Sequence, residues 1–233
     1  MKFGLVFIAA IGATLPYAAF SQTPASTAVP TAPDISGTWY YPNYTPPLAR
    51  NLPFQPWAAE RFAKAQTGED QDPGSKCYPP GVPRIMKAPY PFEIFVRPGR
   101  VDMLHEYMHM VRRIYTDGRD HPKDLDPSWM GHSIGKWEGD TFVIDTVGLN
   151  DRTWLDPAGD PHSDALHVIE RIRRPTPTTL EDEITIDDPK AYTKPWSAKI
   201  NYVQQKDWEI YEYICEENNK DDKSYKPSST QQK

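Results

Sequence analysis

Apolar and polar residues alternate in short runs along most of this chain, and turn-forming residues separate the runs. Arg97-Pro98-Gly99-Arg100, Thr116-Asp117-Gly118-Arg119, Glu138-Gly139-Asp140 and Asp187-Asp188-Pro189 each stand between two such runs and combine residue types that favour tight turns. The segments so bounded are 92–96, 101–115, 141–147, 165–174, 179–186, 197–204 and 208–215. Short strands at this spacing predict an all-β, mostly antiparallel meander that closes into a barrel or sandwich. Segment 57–66, with Trp57, Ala58, Phe62 and Ala65 on one stripe, predicts one short N-terminal helix.

Segment 101–115 carries two periods at once. Met103, Leu104, Tyr107, Met108, Val111 and Ile114 also fit a helical stripe, on which His105 and His109 would sit one turn apart and could grip one metal ion. On a strand the same histidines share a face about 13 Å apart, too far for joint coordination. The flanking turns favour the strand, with His105, Tyr107, His109, Val111 and Arg113 on one face as a polar pocket wall or as the solvated side of an edge.

The ends have a different character. Residues 1–21 place Lys2 ahead of an apolar run and finish at Ala19-Phe20-Ser21, the form of a secretory signal with a small-residue cleavage site. Segment 22–33 reads as a disordered linker, 34–215 as a single domain and 216–233 as a polar tail. Pro16 interrupts the apolar run and no comparable run follows, so no membrane span is expected. A periplasmic or secreted location would let Cys77 and Cys215 form a disulfide, the alternative being two buried thiols. With Lys2 removed, 25 basic residues face 32 acidic ones, a formal charge of -7. No basic run could track phosphates, so nucleic acid is not an expected partner.

All six histidines fall between His105 and His167, and imidazole is the side chain best suited to proton exchange near neutral pH. Asp145 interrupts an apolar run beside Val143 and Val147. It must pair with a cation such as Arg113, Arg171 or Arg173, or hold its proton above the usual range. His162 is expected near a barrel mouth and His167 inside it, where Asp145, Asn150 or Asp151 could complete a His-carboxylate pair. Arg112, Arg113, Arg171, Arg173 and Arg174 could clamp a substrate carboxylate or pair across strands with Glu106, Glu170 and Glu181. A divalent metal held by three of His105, His109, His132, His162 and His167 is possible, but no compact ligand motif specifies it and no cofactor is expected. Gly131-His132-Ser133-Ile134-Gly135 matches the spacing of a serine-hydrolase elbow. The required strand-Ser-helix context is missing, and a tight turn is the preferred reading.

Asp34-Ile35-Ser36-Gly37-Thr38-Trp39 resembles the Gly-any-Trp opening of lipocalin-like barrels. Arg112-Arg113-Ile114-Tyr115-Thr116-Asp117-Gly118-Arg119, Trp129-Met130-Gly131-His132-Ser133-Ile134-Gly135, Trp137-Glu138-Gly139-Asp140-Thr141, Asp151-Arg152-Thr153-Trp154-Leu155-Asp156 and Asp187-Asp188-Pro189-Lys190-Ala191-Tyr192 together resemble a widespread family of uncharacterised exported bacterial proteins. The resemblance implies a lipocalin-like barrel with a pocket and assigns no catalytic residue.

The expected function is therefore that of an exported enzyme acting on a small organic molecule in a barrel pocket by His/Asp acid-base chemistry, as a hydrolase, lyase or isomerase. Its proton-transfer residues would be His105, His109, Asp145 and His167 with Tyr107 as a donor, and Arg113, His132, Asn150, Asp151 and His162 would contact substrate. A lipocalin-like protein that carries a hydrophobic or aromatic ligand without turnover is the alternative. The aromatic content of 12% suits a lined pocket in either case.

Overall fold

Six of the seven predicted runs supply strands of a closed nine-stranded barrel in the computed structural model, which describes residues 33–43 and 47–218. The expected signal segment, nearly all of the linker and most of the tail lie outside the described residues. The strands are β1 (Gly37–Tyr40), β2 (Phe92–Arg97), β3 (Arg100–His105), β4 (Val111–Tyr115), β5 (His132–Glu138), β6 (Thr141–Val147), β7 (His167–Thr176), β8 (Thr179–Asp187) and β9 (Trp196–Gln204). They follow one another around the ring in chain order. Helix α1 (Pro56–Thr67) lies between β1 and β2, starts with Pro56 in its first turn and stops at the left-handed Gly68, both expected at those positions.

Parity explains the one irregular step. In a strict up-and-down ring of nine strands, β1 and β9 would run the same way. Here β4 and β5 are parallel through Ile114↔Ser133 and Tyr115↔Ile134, which reverses the sense of all later strands and lets β9 meet β1 antiparallel at Trp39↔Gln204 and Tyr40↔Val203. A parallel step needs a long crossover, and residues 116–131 supply it.

Three expectations are corrected. Segment 101–115 is neither one strand nor a helix. The chain turns through Tyr107–His109, with Met108 and His109 left-handed at φ 56° and 49°, and His105 N–H donates to Met110 O (2.8 Å) to close the hairpin. His105, Tyr107, His109 and Arg113 therefore do not share a wall. Residues 132–138 form a strand, not a tight turn. Gly135 lets Phe142 and Ile114 pack against the backbone, since a Cβ there would stand 2.6 Å from one and 2.8 Å from the other. Segment 208–215 is an extended strap outside the sheet, tied by Tyr211 N–H to Glu106 Oε2 (2.9 Å) and Tyr213 N–H to His109 Nε2 (2.8 Å). It ends at α2 (Cys215–Asn218), where Cys215 is disulfide-bonded to Cys77.

Inward positions of the strands are mostly apolar, including Met103, Ile114, Phe142, Ile144, Ile172 and Ile184, all inaccessible to solvent. Among them lies a polar network. Arg112 makes a two-pronged contact with Glu170, with Nη1 to Oε1 at 2.8 Å and Nη2 to Oε2 closing the fork, and both side chains are buried. Arg112 Nη2 also donates to Thr146 Oγ1 (2.9 Å). Burial, then the adjacent Glu170, pushes Asp182 well above the usual carboxylate range, so it keeps its proton. Arg112 is held charged because Glu170 more than offsets the cost of burial. Arg112 and Glu170 thus meet as an ion pair among the inward side chains. Arg174 lies 5.1 Å over the Trp39 ring and donates to Asp34 O (2.7 Å). Of the cross-strand pairings expected, Arg112–Glu170 and Arg173–Glu181 form, while Glu106 meets the strap instead.

Replacing Arg112 by Met should cost about 3–5 kcal/mol at neutral pH, because Glu170 loses its partner in the interior. The loss should appear as a lower urea midpoint in the variant than in the unsubstituted protein.

His105 stacks on Phe92 with ring centroids 5.2 Å apart. Burial and then the Arg112 charge lower its pKa from 6.5 to about 3. The unfolded chain therefore binds this proton first. The stabilising effect is complete above about pH 6.5 and is lost as pH falls toward 3, at up to about 1.4 kcal/mol per pH unit. Urea midpoints across that range should decline less steeply in His105→Leu than in the unsubstituted protein.

Candidate functional site

Alternation on β6 turns Phe142, Ile144 and Thr146 inward and Val143 and Asp145 outward. The same pattern puts His167, Ile169 and Arg171 on the outer face of β7 and His132, Ile134 and Lys136 on that of β5. Registers align these positions in rows: Ile134, Asp145 and Ile169 lie across from one another, and Lys136, Val143 and Arg171 form the next row. The crossover folds back over this face and brings His121 onto it.

Asp145 is the hub. Its Oδ1 accepts from His167 Nε2 at 2.8 Å and from His121 Nε2 at 3.1 Å. Behind His121, the Nδ1 atoms of His121 and His132 stand 2.8 Å apart. Two ring nitrogens at that distance share a single proton. If Asp145 receives both Nε2–H groups, neutral His121 has its lone pair on Nδ1 and His132 donates to it. Burial, then the charges of His121 and Arg119, lowers the His132 pKa, which favours that neutral donor. The His132 ring stacks on Tyr115 at 5.4 Å, and Arg119 covers Tyr115 at 4.0 Å.

A groove of about 490 Å³ runs from Asp145 over Val143, Ile134 and Ile169 and is rimmed by Arg119, Lys136, Glu138 and Arg171. This volume suits a small organic ligand. Asp145 Oδ2 makes no hydrogen bond to the described residues. The carboxyl that lines the groove therefore has one oxygen held and one open.

Asp145, His167 and His132 thus come together as a site, while the other expected residues disperse. His105 is inside the barrel, and His109 and Tyr107 sit in the β3–β4 turn, where Tyr107 packs on Tyr213 with centroids 5.0 Å apart. Arg113 points outward beside a separate depression of about 200 Å³. Asn150 Oδ1 accepts from Arg152 N–H (3.2 Å), and Asp151 is exposed on the same loop. His162 is buried, with its ring nitrogens engaged by Thr153 Oγ1 (2.8 Å) and Ser163 O (3.1 Å). Ser133 is also buried, against Thr146 Oγ1 (2.8 Å), so it is no exposed nucleophile. His121 was not among the expected site residues. It stands in Asp120-His121-Pro122, within a segment that has no period to place a side chain.

A second buried carboxyl pair lies away from this face. Asp160 is raised to about 8 by burial and then by neighbouring Asp156, so it holds its proton at neutral pH. Asp156 meanwhile accepts from the N–H groups of Leu48 (2.7 Å) and Ala158 (2.8 Å), so both its oxygens serve the loop fold.

Among the described residues, no three His, Cys, Asp or Glu side chains are grouped to hold a metal ion, and no helix is long and apolar enough to cross a membrane. No family model, curated protein or solved structure matches the chain.

Asp145→Asn replaces a two-proton acceptor with an amide and should scramble the tautomers around it. Nitrogen-15 spectra should show Nε2–H forms for His121 and His167 in the unsubstituted protein and mixed forms in the variant. Because Asp145 is part-exposed, stability should change by no more than about 1 kcal/mol. Unchanged imidazole spectra would contradict the network.

Proposed function

We propose that this protein is an exported enzyme that transfers protons on a small organic molecule held in the outer-face groove, with Asp145 as the group that meets substrate. The observation that carries this reading is the Asp145 carboxyl itself, which lines the groove with Oδ1 fixed by His121 and His167 and with Oδ2 making no hydrogen bond to the described residues. Export is supported by the Cys77–Cys215 disulfide.

The sequence suggested a site within the barrel; the outer face supports it better, because the inward His105, Arg112, Glu170 and Asp182 are closed off from solvent. In the reaction, Asp145 Oδ2 takes a proton from an activated carbon or from an attacking water. The proton then passes to another substrate atom in isomerisation or to the leaving group in elimination or hydrolysis, so none is gained or lost overall. His121 and His167 are positioning residues: by donating to Oδ1 they fix the carboxyl orientation and offset its charge. His132 in turn fixes the tautomer of His121. The apolar floor formed by Ile134, Val143 and Ile169 favours the second reading, carriage of a ligand without turnover.

The two readings separate in deuterium oxide. A panel of small esters, β-substituted acids and enolisable carbonyl compounds should yield, for at least one class, turnover or carbon-bound deuterium in the unsubstituted protein. Asp145→Asn should reduce the rate by about 10²–10⁴-fold, the usual range for a lost general base. Binding with no exchange in either protein would establish carriage.

A further inference from the structure

We propose that the groove is selective for organic anions, specifically an apolar carboxylate whose charged end lies between Lys136 and Arg171 while its other end reaches Asp145. This rests on the acid-base reading for its chemistry but on separate observations for its charge.

The first observation is the order of rows on the barrel face. Asp145 lies between Ile134 and Ile169, and in the next row Val143 lies between Lys136 and Arg171. Two residues along a strand span about 7 Å. The negative position therefore lies one row, about 7 Å, from a pair of positive ones that flank Val143. A ligand that covers Val143 must match both ends, and repulsion by Asp145 forces an anion to the far end.

The second observation is how the two cations are held. Lys136 Nζ lies 2.8 Å from Glu138 Oε1, and Arg171 Nη2 lies 3.0 Å from Glu138 Oε2. One carboxylate thus bridges two cations at this end of the groove, while Glu183, across from Arg171 on β8, lines the neighbouring depression and not the groove. Arg119, the remaining cation of the rim, already has its own partner in Asp117. Glu138 is part-exposed and its ion pairs are solvated, so it is weakly held. A ligand carboxylate can share Lys136 and Arg171 with it or displace it.

The probes are benzoate, 3-phenylpropionate and 3-phenylpropionamide, titrated into the purified, disulfide-intact protein and read by protein NMR shifts. The expected result is saturable binding of 3-phenylpropionate at the Val143, Ile134 and Ile169 methyl groups, about tenfold tighter than the amide, the scale of one charge-assisted contact. Benzoate, which offers less apolar surface to Val143, Ile134 and Ile169, should bind more weakly than 3-phenylpropionate. Glu138→Gln should tighten carboxylate binding, and the double variant Lys136→Gln/Arg171→Gln should erase the preference over the amide without unfolding, since both side chains are exposed.

Equal affinity for acid and amide, a preference that survives the double variant, or no saturable binding of either carboxylate would overturn the proposal. Asp145→Asn separates this inference from the acid-base reading, because it should retain carboxylate binding. Carboxylate selectivity without turnover of any substrate class would sink the catalytic reading and leave anion recognition standing. Turnover confined to neutral substrates would do the reverse.

Discussion

The Arg112–Glu170 pair sets the terms on which this barrel can exist. A guanidinium brought inside a ring of apolar strands needs an anion at hydrogen-bonding range, and Glu170 supplies both oxygens from β7. Burial beside this pair keeps Asp182 and His105 uncharged. Because Arg112 comes from β4, Thr146 from β6 and Glu170 from β7, the network ties together strands on both sides of the parallel step. Only two residue pairs are in register at that step, and the interior contacts help hold it where backbone pairing is short.

The outer face is organised by the same alternation. Each inward residue that serves the network fixes the direction of its neighbours: Thr146 inside puts Asp145 outside, and Glu170 inside puts Ile169 and Arg171 outside. The groove and the core are therefore two readings of the same strands. A register slip of one residue on β6 or β7 would bury Asp145 and expose Glu170.

Much of this was legible from local pattern. Strand β6 matched its predicted run because the Glu138-Gly139-Asp140 turn signal starts it and its residues are apolar apart from Thr141, Asp145 and Thr146, and β8 and β9 followed within a residue. Strand β5 was hidden because Gly131, Ser133 and Gly135 look like a turn, whereas Gly135 is there for close packing by Phe142. The β3–β4 turn was hidden because it uses left-handed Met108 and His109 where glycine would have announced it. Of the site, Asp145 stood out as a charge in an apolar run, and His132 and His167 were named beside it. The direct Asp145–His167 pair was among the expected pairings, but the link to His132 through His121 was not legible, since a crossover loop carries no periodicity and strand direction leaves no mark on composition.

The Cys77–Cys215 bond gives the chain a closed covalent circuit. Strands β2 to β9 all lie within it, whereas β1 lies outside. Seen this way, the protein is an eight-stranded sheet on a covalent loop, with β2 and β9 as its free margins, and the four residues of β1 are the stave that converts it to a tube. That stave is held by three registered pairs on one side and two on the other, with buried Trp39 as its inward anchor. Closure of the tube is thus assigned to the one strand that the covalent circuit does not restrain.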